Sequence, residues 1–249
     1  SSPNNPAWFN LTESELQTIG ELATKYDAIV IEDLAYMCMD FRKPLGKPFE
    51  APFQPTIAKY TDNYIIMMSG SKMFSYAGQR IAIIAISDAL YHREYPLLPV
   101  WYKMSRLGDA FVFAVLYAVS SGATHSAQYA LAEMFRAAAD GELDFVTSAA
   151  EYARRAKISK KMFIDNGFHI VYSMDGAEPV SDGFFYTVGY KDMPSGELMG
   201  ELMKYGMCTI SLTMTGSSQP GVRVCVSQLN CPEQFDMLEE RLKLFASDH

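Results

Sequence analysis

The sequence predicts an α/β protein: a partial, mostly parallel sheet with helices in its first half, followed by a smaller α+β domain. Three observations carry this. Ala28-Ile29-Val30-Ile31 and Tyr64-Ile65-Ile66-Met67-Met68 are short, fully apolar runs that each end in polar residues, the pattern of strands covered on both faces. Helical periodicities with start and stop signals alternate with these runs. After Asn166-Gly167, a helix stop, short apolar runs at 168–173, 184–188, 208–212 and 222–226 replace the longer helices.

The elements follow in order. Ser1-Ser2-Pro3-Asn4-Asn5-Pro6 is turn chemistry and reads as the end of a strand. Thr12 with Glu15 three residues on forms a capping box, and Leu16, Ile19, Ala23 and Tyr26 then repeat at helical spacing. The strand from Ala28 ends at Glu32-Asp33, which sets Asp33 at a carboxyl end, where open α/β sheets bind ligands. Residues 39–61 read as a long connection with room for one short helix. The run at 81–86 follows the second strand too closely for a crossover helix, so the two are expected to be antiparallel. Residues 100–119 are apolar with helical tendency and are broken by Ser120-Ser121-Gly122-Ala123-Thr124. Helices are expected over 126–139 and 143–165, from a Ser195 cap to Gly206, and from Pro232 onward. We place the domain divide between 138 and 139, giving domains 1–138 and 139–249. The run Arg154, Arg155, Lys157, Lys160, Lys161 reads as a solvated helix face.

Composition narrows the function classes. A chain of 249 residues with 49% hydrophobic and 20% charged residues can bury a sizeable core. A formal charge of −8, with no clustered cations on a nucleic-acid-binding pattern, argues against a phosphate-backbone partner. Cys38, Cys208, Cys225 and Cys231 form no C-x-x-C pair and are read as free thiols in a reducing compartment. No apolar run reaches the length of about 18–20 residues needed for a bilayer span, and no leader pattern opens the chain, so a cytoplasmic protein without membrane partners is expected. His92, His125 and His169 lack metal-ligand spacing, and no metal site is expected.

The chemistry concentrates in Ser69-Gly70-Ser71-Lys72, with Arg80 shortly after. A lysine directly behind a buried strand is unusual, because ammonium groups are costly to desolvate; such a lysine suits imine formation with an aldehyde. If Lys72 binds the aldehyde of pyridoxal 5'-phosphate, the pyridine nitrogen needs a carboxylate partner, and Asp33 sits at a neighbouring strand end. Tyr36 and Asn5 are placed to reach the ring oxygen, and Ser69, Ser71 and Arg80 to hold the phosphate. Taken singly, Asp33 could be a turn residue, Asn5-Pro6 a plain turn and Arg223 an exposed strand charge. Their joint order decides otherwise.

Asn4-Asn5-Pro6, Ile31-Glu32-Asp33-Leu34-Ala35-Tyr36, Ser69-x-Ser71-Lys72 with Gly78-x-Arg80, and Gly221-Val222-Arg223-Val224 together resemble the class I/II aminotransferases, fold-type I enzymes that use pyridoxal phosphate. The spacings are 28 residues from Asn5 to Asp33, three from Asp33 to Tyr36, three from Ser69 to Lys72 and eight from Lys72 to Arg80. The resemblance implies a homodimeric aminotransferase acting on an amino acid and a 2-oxo acid. It implies that Lys72 is the Schiff-base lysine and the proton carrier, that Asp33 pairs with the ring nitrogen, and that Arg223, aided by Asn5, takes the substrate carboxylate. Domain 1–138 would be the C-terminal portion of the large cofactor-binding domain and 139–249 the small domain. Ser121, Thr124 and Arg106 are weaker candidates for contacts to phosphate or substrate. A lyase or decarboxylase on the same scaffold, or a truncated module that binds the cofactor without turnover, remains open.

Two departures from the family accompany the resemblance. The Asn-Pro-Thr-Gly signature is altered to Asn5-Pro6-Ala7-Trp8. The chain is also expected to lack the N-terminal part that cradles the phosphate and stacks on the ring, and so to be unstable or inactive unless completed by another segment.

Overall fold

The computed structural model describes residues 1–181 and 183–249. They divide into two compact units: Ser1–Ser2, Leu11–Met37 and Leu45–Phe145 form the first, and Pro3–Asn10, Cys38–Pro44 and Val146–His249 form the second. No local signal in the sequence marks Pro3–Asn10 or Cys38–Pro44 as belonging with the C-terminal residues.

The first unit starts with helix α1 (Glu13–Lys25), whose capping box is made: the Thr12 hydroxyl accepts from the Glu15 N–H, and the Glu15 carboxylate accepts from the Thr12 N–H. Strand β1 (Val30–Leu34) pairs parallel with β2 (Tyr64–Ser69), which pairs antiparallel with β3 (Ala82–Ile86). The three-stranded sheet therefore holds one parallel and one antiparallel pairing in the order β1-β2-β3. Leu16 of α1, Leu34, Ile66 and Ile57, the last in the single-turn helix Ile57–Lys59, form its core.

A short helix α2 (Gly70–Met73) follows β2 directly, and α3 (Asp88–Tyr91) and α4 (Leu98–Tyr102) follow β3. The helical tendency of 100–119 is realised in two pieces. Lys103 takes a left-handed conformation (φ 57°) that ends α4, and α5 (Leu107–Ala110) then runs through a π-helical stretch, Phe111–Leu116, into α6 (Tyr117–Ser120). Helix α7 (His125–Ala139) packs Ala127 and Leu131 on Ile81.

One expectation fails here. The apolar run of β1 predicts a strand covered on both faces, but Ile29 is 40% and Ile31 60% exposed, so one face of this edge strand is left open among the described residues.

The second unit is a four-stranded antiparallel sheet under three helices. Helix α8 (Phe145–Asp165) leads to β4 (Phe168–Ile170), a hairpin of β5 (Met174–Asp175) and β6 (Glu178–Pro179), β7 (Phe185–Tyr190), α9 (Ser195–Lys204), β8 (Ile210–Ser211), β9 (Val222–Cys225) and α10 (Pro232–Asp248). The strand order is β4-β7-β9-β8. Ala156 and Phe163 of α8, Leu198 and Leu202 of α9, and Leu242 and Phe245 of α10 close on Val188, Val222 and Val224. The hairpin was not anticipated, since its strands are two residues each. Ser195 is not the cap of α9 as expected. Pro194 takes that position, and the buried Ser195 hydroxyl accepts from the Gly221 N–H at 3.0 Å, tying the helix to the start of β9.

Candidate active site

Because β1 and β2 are parallel neighbours, their carboxyl ends lie side by side, with Asp33 opposite Met67 and Leu34 opposite Met68. Asp33 accepts from the Ala35 N–H at 3.0 Å, which turns the chain after β1 and delivers Tyr36 to a buried position, 7% exposed. At the end of β2 the Ser69 hydroxyl accepts from the Ser71 N–H at 3.2 Å and caps α2, so Lys72 follows within one turn. The ammonium group of Lys72 lies 5.6 Å from the centre of the Tyr36 ring. Among the described residues this half-buried lysine forms no ion pair.

The first unit thus brings Asp33, Tyr36, Ser69, Ser71 and Lys72 to the ends of two adjacent strands. Arg80 stands apart from them: it is exposed, takes a left-handed conformation (φ 51°), and donates to the Ala77 carbonyl at 3.1 Å. Beside Asp33 lies a residue that the motif reading passed over. Glu32 is 6% exposed and accepts from the Ile57 N–H at 2.9 Å; burial pushes its carboxyl above the usual range, against the lowering effect of that hydrogen bond.

In the second unit Asn5 and Arg223 meet, although 218 positions separate them: Arg223 Nη1 donates to Asn5 Oδ1 at 2.6 Å. Arg223 lies on β9, opposite Thr187 of β7 and Ile210 of β8. The centre of its guanidinium group is 4.0 Å from the Phe185 ring centre, and its Nε is buried with no partner among the described residues. A buried N–H without an acceptor is costly.

The Asn5 segment is a compact turn. The Asn4 N–H donates to the Phe9 carbonyl, the Trp8 N–H to the Asn4 carbonyl and the Phe9 N–H to Asn4 Oδ1. Trp8 has φ 66°, a conformation that favours glycine, and glycine is what the Asn-Pro-Thr-Gly signature carries there. The left-handed backbone costs about 1–2 kcal/mol for a residue with a Cβ. Trp8 is fully buried, and removing about 200 Å² of indole from water contributes about 5 kcal/mol, enough to outweigh it. Neither Trp8 nor Phe185 was a candidate from the sequence, where Trp8 stood only as a departure from the Asn-Pro-Thr-Gly signature. The guanidinium of Arg42, paired with Asp40 at 2.8 Å, also donates to the Asn10 carbonyl and ties this turn to Cys38–Pro44.

Among the described residues no group of three or more His, Cys, Asp or Glu side chains is placed to hold a metal ion. No helix among them is long and apolar enough to cross a membrane.

The first unit thus presents a lysine at the end of a strand in a mixed α/β sheet, and the second an arginine on an antiparallel sheet. Residues 1–234 match the family described as aminotransferase class I and II, and the chain belongs to that family. Pyridoxal phosphate is the cofactor of the family. The fold is similar to that of YbdL from Escherichia coli, whose structure is described as identifying a methionine aminotransferase function: TM-score 0.70, 15% identity, covering 97% of this chain and 57% of that one. It is similar too to an aromatic aminotransferase from Pyrococcus horikoshii OT3, with TM-score 0.71, 18% identity and coverage of 99% and 58%. A PLP-bound protein from Clostridium difficile 630 gives TM-score 0.69, 16% identity and coverage of 98% and 57%. The chain therefore spans less than three-fifths of each of these proteins. Among curated proteins no significant match is found.

Proposed function

We propose that this chain carries the lysine-bearing part of an aminotransferase that moves an amino group between an amino acid and a 2-oxo acid. The observation that carries this reading is the Lys72 amine, held without an ionic partner over the Tyr36 ring at the end of the strand next to Asp33.

The donor set fits pyridoxal phosphate. Lys72 offers an amine for the aldehyde, Asp33 a carboxylate for the ring nitrogen, Tyr36 a hydroxyl for the ring oxygen, and Ser69 and Ser71 donors for the phosphate; the roles of Asn5 at the ring oxygen and of Arg80 at the phosphate rest on the family resemblance. When bound, the cofactor supplies an electron sink for the charge left as the substrate α-proton departs. Lys72 then serves as the base that holds this proton at Nζ and returns it. The planar Arg223 fork suits a bidentate pair with the α-carboxylate, which would orient the α-carbon. In this reading 1–138 is the C-terminal portion of the large domain and 139–249 the small domain of a homodimer. Four cysteines outside any disulfide, one of them buried, fit a reducing, cytoplasmic setting.

The test is to load the protein with pyridoxal phosphate and add single amino acids without an oxo acid. Stoichiometric conversion to pyridoxamine phosphate supports the reading. Catalytic release of ammonia, pyruvate or carbon dioxide replaces it with a lyase or decarboxylase. Binding of the cofactor without either outcome leaves a non-catalytic module.

A further inference from the structure

Trp8 has a left-handed backbone, is fully buried, and occupies the space over Gly183 so closely that a Cβ built on that glycine would fall 2.0 Å from Trp8 Cε2. Its ring meets that of Phe185 edge-on, with centres 5.9 Å apart. The Phe185 ring also meets the guanidinium of Arg223, 4.0 Å from its centre. Asn5, three positions before Trp8 in the same turn, accepts from that guanidinium at 2.6 Å. One buried indole therefore bears on the arginine by two routes: through Phe185 beneath the guanidinium plane, and through the turn that holds Asn5 at its edge.

We propose that Trp8 is a positioning residue for carboxylate recognition, which acts through Phe185 and Asn5 to hold Arg223 ready for a substrate carboxylate. This rests on the reading of Arg223 given under Proposed function. An arginine loses side-chain freedom when it clamps an anion, and a guanidinium already fixed against a ring and a carbonyl oxygen loses less. The electron-rich ring face also favours the charged group in place. Gly183 is part of the device, because only a residue without a Cβ lets the indole reach this depth.

The effect is read as the ratio of affinities for 2-methylalanine and tert-butylamine. The two differ only in carboxylate against methyl, and neither can lose an α-proton. Binding is followed by the visible absorbance of the loaded protein. For wild type the ratio measures carboxylate recognition; if it is near one, or the protein takes up no cofactor, the underlying assignment of Arg223 or of the cofactor fails, independently of Trp8.

With a high wild-type ratio, Trp8→Gly is expected to lower it at least about 10-fold, while tert-butylamine affinity stays within about twofold. Trp8→Phe, which keeps a ring edge for Phe185, is expected to retain most of the ratio. Phe185→Leu, which keeps apolar bulk but removes the ring face, is expected to lower it as Trp8→Gly does. If Trp8→Gly does not fold, the other two variants decide. In a Trp101→Phe background, where Trp8 is the remaining tryptophan, its fluorescence reports the folding of Phe185→Leu, and circular dichroism reports that of the two Trp8 variants. An unchanged ratio in folded Trp8→Gly or in Phe185→Leu, or equal losses for both ligands, overturns the proposal.

Discussion

The ammonium group of Lys72 stands 5.6 Å from the centre of the Tyr36 ring, held there because two parallel strands end at the same level and each turns at once into a short polar segment. On the proposed function, Lys72→Ala abolishes the imine absorbance of the loaded protein, leaving that of the free aldehyde, and lowers turnover by about 10²–10⁴-fold or more. Spectra of the loaded variant and single-turnover rates check this; an undiminished band overturns the role of Lys72.

Arg223 presents a buried, unsatisfied Nε beside the Nη1 that is bonded to Asn5. Lysine has the charge but not the fork. Arg223→Lys is therefore expected to lower kcat/KM for amino acids about 10-fold or more, mainly through KM, with cofactor uptake unchanged. Steady-state kinetics with absorbance titration of the cofactor separate the two effects.

The pH dependence of stability should carry a mark of Glu32. Burial raises its carboxyl above the ordinary value of 4.5, so the folded chain holds this proton more tightly than the unfolded one. The sign follows: above the folded-state value the buried charge weighs on stability in full, and the burden is lifted as pH falls through that value toward 4.5. Glu32→Gln keeps an acceptor for the Ile57 N–H without the charge. It should be more stable than wild type at pH 8, with the difference shrinking toward pH 4.5. Glu32→Ala leaves that N–H without its acceptor and should cost about 1–3 kcal/mol. Guanidinium unfolding across this range checks both.

Gly221, two residues before Arg223, has φ 139°, and a Cβ there would lie 2.6 Å from the Val188 carbonyl oxygen. Gly221→Ala should destabilise the second unit by about 1–3 kcal/mol and lower its melting temperature by several degrees. Calorimetry checks this, and a variant as stable as wild type would show that the strand shifts to make room.

Local features were legible in the sequence. The capping box of α1 needs only Thr12 and Glu15 three residues apart, and it is made as read. The runs of β2 and β3 announced strands, and the short link between them their antiparallel pairing. Ser195 shows where such reading stops: it looks like a helix cap, yet its hydroxyl serves the Gly221 N–H 26 positions away. Ile31, apolar within an apolar run, gave no hint that its strand would lie at an edge.

By itself the sequence determined the order and type of the main elements and the spacing of Asn5, Asp33, Tyr36, Ser69, Lys72, Arg80 and Arg223, because period, caps and motif spacing are properties of neighbouring residues. Tertiary structure alone decided what stands beside what: Arg223 against Asn5 and Phe185, Trp8 over Gly183, and Glu32 buried on Ile57. Those relations depend on how distant segments share a finite volume, and close packing admits few solutions that no single stretch of chain encodes.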